Sequence, residues 1–380
     1  MVRELTALEQ SLLKNINNKF GEENPMVQLG ENEDFGKVKD WIDTGNLALN
    51  WLISGQLSGG YPVGRISELD GDPSTGKSLL CQLAMKDPTI DLIVVLDTEA
   101  AFNIEFIKFL GVDPDKILYM PIDTVEQITS AAQEVLDTIK MNKSNKKVLF
   151  IIDSIALATT EKEADPDSGK DMGNKAQLLR TFFRVYARKI ERYNIGLLVT
   201  NHYTQKIGVT YGSNKTTTGG TALPYAASVR IDLKIGEMDI DKKSESIGAH
   251  SVTIKATTKK NRCFSPHRKI SFLLDFERGV NKYSGLFGIL KDMGIGEKNG
   301  PWCKIPSWNP DEKFFEKDFP ELCEKHNLLP FIQEKMDEFR QKELEEDPEI
   351  SEEAIAEDEK KKDKKKKVAK VAQESLENGE

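Results

Sequence analysis

Eight residues, Gly71-Asp72-Pro73-Ser74-Thr75-Gly76-Lys77-Ser78, have the spacing GxxxxGK followed by Ser. A glycine-rich turn of this length lets backbone N–H groups close around phosphate oxygens. Lys77 would neutralise charge on the β- and γ-phosphates, and the Ser78 hydroxyl would sit on Mg²⁺. The flanks agree: Ile66-Ser67-Glu68-Leu69 reads as a strand and Lys77 to Met85 as a helix, so the phosphates would meet a helix N-terminus. A plain surface turn would need neither flank. The expected nucleotide-binding set is Gly71, Asp72, Pro73, Ser74, Thr75, Gly76, Lys77 and Ser78, with Leu79 behind them. The chain is expected to bind ATP or GTP with Mg²⁺.

A nucleotide hydrolase also needs a metal carboxylate and a base. Asp153 ends the most apolar run in the chain, Val148-Leu149-Phe150-Ile151-Ile152, and Ile151-Ile152-Asp153-Ser154 is the Walker B form. A carboxylate at the end of a buried strand can hold the Mg²⁺ shell opposite the Ser78 hydroxyl. Asp97-Thr98-Glu99 ends the strand after the phosphate-loop helix. Glu99 could orient and deprotonate the attacking water; Asp97 competes for that role, and the plainer alternative is that both cap the next helix. His202, one of four histidines, closes the strand Ile195–Val199 and its extension. It could sense the γ-phosphate and pass the signal to the following loop, or be an ordinary strand-end histidine.

That loop, Tyr203–Gly220, holds Lys206, Lys215, Tyr203, Tyr211, a threonine run and Gly219-Gly220, with no acid. Eighteen residues with little periodicity are expected to be functional or disordered. Lysines, hydroxyls and glycine N–H groups suit a phosphate backbone, and aromatic or apolar tips suit bases. A second polar loop, Asp165–Gly173, leads into a helix carrying Arg180, Arg184, Arg188 and Arg192. Spacing of four puts all four on one face, an electrostatic track for nucleic acid or a plain solvated face.

These groups need a scaffold. Short apolar runs at Leu92–Leu96, Ile117–Met120, Val148–Ile152 and Ile195–Val199 read as buried parallel strands, with helices such as Val125–Met141 and Asn174–Arg192 between them. The alternation predicts an α/β fold: a mostly parallel twisted sheet flanked by helices. Val229–Ile235, Ser251–Thr257 and Lys269–Asp275 follow without long helices and predict an antiparallel extension of that sheet. Ahead of the core, Leu5, Leu8, Leu12, Leu13, Ile16 and Phe20 make one helical stripe, able to pack on its own core or on a neighbour. The expected divisions are 1–36 (N-terminal helix and linker), 37–285 (ATPase core), 286–342 (a small α/β lobe) and 343–380 (a tail). Ten acids in 343–359 and eight lysines in 360–370 cannot bury enough apolar surface to fold.

Composition narrows the classes. With 53 Lys+Arg against 62 Asp+Glu the net charge is −9, which argues against a coat of nucleic acid but leaves a local basic patch free to bind it. Cys81, Cys263, Cys303 and Cys323 have no CxxC spacing and read as reduced thiols, not a zinc site. The start, Met1-Val2-Arg3-Glu4-Leu5, does not read as a signal peptide, and a cytoplasmic location is expected.

The chain resembles the RecA family of DNA recombinases, its bacterial members and the UvsX-type proteins of phages. The likeness rests on Arg65-Ile66-Ser67-Glu68 running into the phosphate loop and on Leu96-Asp97-Thr98-Glu99. It rests also on Lys206-Ile207-Gly208-Val209 through Thr216-Thr217-Thr218-Gly219-Gly220, with Asn18-Lys19-Phe20-Gly21 and Met26-Val27-Gln28-Leu29-Gly30 ahead of the core. The resemblance implies a RecA-like core and an ATP-dependent recombinase that forms helical filaments on single-stranded DNA and pairs it with homologous duplex. It makes Glu99 the catalytic carboxylate and sets Phe106 and Tyr283 against adenine. Lys260 and Arg262 become residues that reach the neighbouring subunit's ATP. Met172, Ile207 and Tyr211 become DNA-loop side chains, and Arg184, Gly219 and Gly220 phosphate contacts. The N-terminal helix would dock on the adjacent subunit, and single-strand-binding and mediator proteins would be further partners.

The chain departs from the bacterial pattern in several places. His202 stands for a glutamine, Gln177 for an arginine, Pro224 for an interface lysine and Arg262 for a lysine, and the tail adds lysines to acids. A hexameric helicase of the same core fold, or a nucleotide-gated mediator, would share the phosphate loop, Asp153 and Glu99. The N-terminal helix and the Thr216–Gly220 segment favour the filament.

Overall fold

In the computed structural model, residues 4–20, 26–28, 36–165, 172–205, 215–218, 220–240 and 249–346 are described. The chain forms two compact units, 1–285 and 286–380. In the first, the helices are α1 (Ala7–Phe20), α2 (Leu47–Ser54), α3 (Lys77–Ala84), α4 (Ile104–Phe109), α5 (Val125–Met141), α6 (Glu161–Ala164), α7 (Met172–Arg192) and α8 (Ala222–Ala226). The strands are β1 (Trp41–Ile42), β2 (Tyr61–Pro62), β3 (Ile66–Gly71), β4 (Leu92–Asp97), β5 (Ile117–Pro121) and β6 (Val148–Asp153). There follow β7 (Ile195–Gln205), β8 (Lys215–Thr217), β9 (Val229–Ile240), β10 (Ala249–Asn261), β11 (Lys269–Asp275) and β12 (Gly279–Val280).

The main sheet has the order β12-β11-β10-β9-β3-β7-β6-β4-β5, with β8 paired to β7. The strands from β9 to β5 are parallel to their neighbours. Beyond β9 the pairing turns antiparallel through β10, β11 and β12, as the helix-free stretch of sequence predicts. Every residue of β3 and β6 is buried, because both are interior strands covered on two faces. Helix α5 starts on a capping box, with Thr124 accepting from the Gln127 amide, and buries Val125, Ile128, Ala132, Leu136 and Ile139. Those spacings of three and four pack against Phe150, Phe182 and Phe183 in one apolar cluster. A truncation such as Phe150→Ala there costs about 3–5 kcal/mol, so this layer fixes the strand ends that carry the site.

Two expectations need correction. The run Ile117–Met120 is not an interior strand. It is the edge strand β5, and Leu118, Tyr119 and Met120 are 59, 46 and 42% exposed. An edge strand in the monomer can still be apolar if a partner covers it. The loop Tyr203–Gly220 is also more ordered at its root than its composition suggests. Strand β7 runs on to Gln205 and β8 returns beside it, pairing Tyr203 with Thr217 and Gln205 with Lys215. The β-branched threonines and the aromatic ring suit a pleated ladder.

Helix α1 buries none of its residues, and Leu8, Leu12 and Phe20 are 70, 47 and 56% exposed. Thr6 and Glu9 cap each other at its start, and Asn17 holds both the amide and the carbonyl of Met26. The apolar stripe is thus formed, with Leu8, Leu12 and Phe20 exposed and Leu5, Leu13 and Ile16 half-buried.

The second unit has α9 (Leu286–Asp292), a sheet of β13 (Glu297–Asn299), β14 (Trp302–Ile305) and β15 (Asn309–Phe315), then α10 (Phe319–Lys325) and α11 (Leu329–Glu346). It is the small α/β lobe the sequence predicts, packed around Phe287, Phe314 and Phe319. Helix α11 continues to Glu346, four residues past the expected lobe boundary, and the rest of the tail lies outside the described residues. No helix among the described residues is long and apolar enough to cross a membrane.

Candidate active site

The phosphate loop leaves the C-terminal end of β3, the edge of a parallel sheet where ligands bind in folds of this kind. Its backbone has the strain its sequence allows. Ser74 and Gly76 take positive φ of 61° and 83°. A Cβ on Gly76 would meet Leu274 Cδ1 at 2.4 Å, and one on Gly71 would meet the Leu233 carbonyl at 2.6 Å. Gly76 is therefore required by conformation as well as by close approach, and Gly71 by close approach alone. Thr75 Oγ1 donates to the Asp72 carbonyl at 2.8 Å and ties the turn. Lys77 Nζ donates to the Gly71 and Asp72 carbonyls at 3.1 and 3.0 Å, so it points into the turn. Burial lowers the Lys77 pKa, against Glu99, Asp153, Asp72 and Asp70, which favour the charged form.

Asp153 ends β6 one strand from β7, and Thr200 Oγ1 donates to its Oδ1. The Asp153 carboxylate also lies beside the Ser78 side chain. Its Oδ2 atom is buried without a hydrogen-bond partner. Burial raises the carboxyl's pKa, opposed by Thr200 and Ser78. A buried oxygen with no donor, beside a hydroxyl and near Lys77, fits a hydrated Mg²⁺ ion, so Ser78 and Asp153 suit the metal expected of them.

Glu99 is the carboxylate that faces the same space. Its Oε1 lies 2.9 Å from His202 Nε2 and accepts from Ser154 Oγ at 2.6 Å. The His202 hydrogen bond, with help from Ser154 and Lys77, lowers the Glu99 pKa against the pull of burial. Glu99 is therefore an ionised carboxylate through the neutral range. Asp97, its rival, is 2% exposed and fully engaged, accepting from the Glu99 and Ala101 amides and from the Tyr119 hydroxyl. It caps the turn that presents Glu99 and has no carboxylate oxygen left over for a water. His202 stands level with Gly71 in the β3–β7 register, and its carbonyl accepts from the Thr218 amide at 3.2 Å. One residue thus touches Glu99 with its ring and the returning loop with its backbone.

A family model, the RecA N-terminal domain, matches residues 6–281. The chain belongs to the RecA family of recombinases. It is 32% identical to Protein RecA of Desulforapulum autotrophicum over 82% of this chain and 88% of that protein. It is 30% identical to Protein RecA of Bacteroides thetaiotaomicron, over 85% and 95%. It is 31% identical to that of Paracoccus denitrificans, over 82% and 86%. RecA-family membership places the chain in DNA recombination and repair, with a nucleotide-hydrolysing core.

The other residues implied by the RecA resemblance fall in three places. Phe106 on α4 is half-buried and stacks on Phe109, while Tyr283 is buried just after β12. A Cβ on Gly279 would lie 3.8 Å from Leu79 and 3.5 Å from Leu110, so α4 and the β12 turn both adjoin the start of α3. Lys260 and Arg262 lie far from their own phosphate loop. Asn261 pairs with Val229, and Val229 with Ser67, at the opposite end of β3 from Gly71. Four residues of strand separate those levels by about 13 Å. Lys260 Nζ donates to the Pro224 and Tyr225 carbonyls at 2.9 and 2.8 Å, and its pKa is lowered to about 8 by burial and by Arg262 and Arg230. The exposed Arg180 and Arg184 are on α7, and a Cβ on Gly220, at φ 74°, would lie 3.8 Å from Ala176, one turn before Arg180. Lys206, Ile207, Tyr211 and Gly219 lie outside the described residues, as do the side chains of Met172 and Lys215.

Sequence reasoning missed Ser154 and Thr200, which position Glu99 and Asp153, and it missed a buried charged cluster behind the phosphate loop. Arg230 donates through Nε to Glu68 and through Nη2 to Asp70 at 2.9 Å; Tyr203 meets Asp70 and Asp232; Asn201 holds Glu68. The signal was present as alternating charge, Glu68 and Asp70 in one strand, Arg230 and Asp232 in another. Register converts it into facing pairs, Glu68 with Arg230 and Asp70 with Asp232.

Proposed function

We propose that the chain is a DNA-dependent ATPase that assembles on single-stranded DNA as a helical filament and carries out homologous pairing and strand exchange. The observation that carries this reading is the contact of Glu99 with His202 at the very residue where the loop hairpin begins. Base and loop root are one hydrogen bond apart, so a loop that engages DNA can reposition the base. Mg²⁺ held at Ser78 and Asp153 would neutralise charge on the β- and γ-phosphates. Lys77 turns its ammonium from the loop carbonyls to the phosphates. Glu99, kept ionised, accepts the proton of the attacking water, and His202 and Ser154 fix the carboxylate in place for it. Such work on DNA with ATP belongs in the cytoplasm.

Three features support assembly through copies of the chain. The α1 stripe exposes Leu8, Leu12 and Phe20, the apolar edge strand β5 is exposed, and Lys260 and Arg262 sit too far from their own phosphate loop to serve it. Electron microscopy with DNA and a non-hydrolysable ATP analogue tests the filament: open helical filaments support it, and closed rings contradict it.

The DNA contacts have their own test. Each phosphate-binding cation contributes about −0.7 to the salt slope of single-strand binding. Arg184→Ala is expected to weaken binding to all sequences alike and to flatten that slope by somewhat less than one unit. Ile207→Ala removes no charge, so it should leave the slope unchanged while impairing strand exchange. Fluorescence anisotropy across a salt series measures both. Wild-type affinity and slope in Arg184→Ala would make the arginine row an ordinary solvated face.

A further inference from the structure

The hydrolysis scheme leaves the cluster behind the phosphate loop unused. Asp70 immediately precedes Gly71, Tyr203 follows His202 and pairs with Thr217 at the loop root, and Asp232 stands opposite Asp70 in β9. The Tyr203 hydroxyl lies 2.8 Å from Asp70 Oδ1 and 2.6 Å from Asp232 Oδ1. A phenol has one proton and can donate to one carboxylate only. The geometry is satisfied when Asp70 carries a proton and donates it to the phenol oxygen, while the phenol donates to Asp232.

The surroundings decide which acid is protonated. Asp232 has Lys259 at 3.0 Å and Lys234 at 3.5 Å, and these with Tyr203 hold its pKa low in spite of burial. Asp70 is 1% exposed, lies beside Glu68 and shares Arg230 with it. Burial first, and Glu68 next, raise its pKa to about 7, against Tyr203 and Arg230. Lys77, from α3, is the further charged group within reach. A cleft of about 280 Å³ beside the cluster, lined by Thr217, Gly220 and Thr221 of the loop exit, opens it to water.

We propose that Tyr203 is a positioning residue: through one proton shared with Asp70 and Asp232 it clasps the root of the DNA loop to the strand that delivers the phosphate loop. The clasp keeps His202 in register with Gly71, so loop engagement reaches Glu99. Losing the proton sets two carboxylates against one phenol oxygen and loosens the clasp. This rests on the DNA-dependent ATPase reading, so the test has one arm that does not.

The first arm measures ATP turnover by the full-length protein with saturating oligo-dT across the pH range. Stimulated kcat of the wild type should fall as pH rises through about 7. Asp70→Asn can donate to the Tyr203 oxygen and accept from Arg230, so it should keep the stimulation and lose the transition. Tyr203→Phe should lower stimulated kcat by about fivefold, the worth of one hydrogen bond, with KM for ATP changed by less than about twofold. Wild-type stimulation in Tyr203→Phe, or the wild-type transition in Asp70→Asn, would overturn the proposal. The second arm reads Tm without DNA. A folded pKa raised above the unfolded value contributes stability at low pH that is lost as pH rises through about 7. The wild type should therefore lose more Tm than Asp70→Asn between about pH 5 and pH 8. Equal loss in both would overturn the shared proton. A wild type that turns over ATP equally with and without DNA, yet shows the Tm difference, would overturn the DNA-dependent reading, and the clasp's role in coupling with it, while leaving the shared proton standing.

Discussion

Glu99→Gln should bind ATP nearly as well as the wild type and turn it over about 10²–10⁴-fold more slowly, the range for removing a positioned general base. The amide keeps the shape of the side chain and its place beside His202 and Ser154, but cannot accept the proton of the water. Lys77→Ala should instead weaken nucleotide binding itself, because the ammonium stands inside the turn, where it would meet phosphate directly. ATP affinity by calorimetry and turnover by phosphate release separate the two. Near-normal turnover in Glu99→Gln would contradict the base assignment. The low pKa of Glu99 adds a condition: wild-type activity attributable to this group should persist through the neutral range and fall only in acid.

The second large effect is across subunits. Arg262→Ala should lose most of its ATPase although its own phosphate loop, Asp153 and Glu99 are intact. Arg262 follows Asn261 at the far end of the β3 level from Gly71, too far to serve its own nucleotide, and the proposal is that it serves a neighbour's. An equimolar mixture of Arg262→Ala with Lys77→Ala should recover activity, to about a quarter of wild type if subunits mix at random and each site needs both residues. Neither variant alone can form a complete site, whereas one interface in four pairs intact partners. No recovery, with mixed assembly verified, would count against action in trans.

The parts of the site legible in the sequence are those whose chemistry is local. The phosphate loop, Ser78 and Lys77 are fixed by contiguous spacing, and Asp153 by the apolar run it ends. His202 was legible as a strand-end residue, but its partner Glu99 is 103 residues away. The Tyr203–Asp70–Asp232 cluster needs three strands in register, joined over 133 and 29 residues, and nothing local announces it. Ile117–Met120 was misjudged because an apolar run reads the same in an interior strand and in an edge strand. The ordered root of the Tyr203–Gly220 loop was not legible because β7–β8 pairing depends on a return of the chain that composition does not encode. Lys260 and Arg262 came from family resemblance alone, and the sheet register places them far from their own phosphate loop.

The central claim is that DNA at the Tyr203–Gly220 loop controls hydrolysis at Glu99. Steady-state ATP turnover by the full-length protein, titrated with oligo-dT at saturating ATP and Mg²⁺, tests it most directly. The account predicts a slow rate without DNA that rises by at least about tenfold and saturates with DNA, a change of about 1.4 kcal/mol in the barrier. A rate that is the same with and without DNA would contradict it.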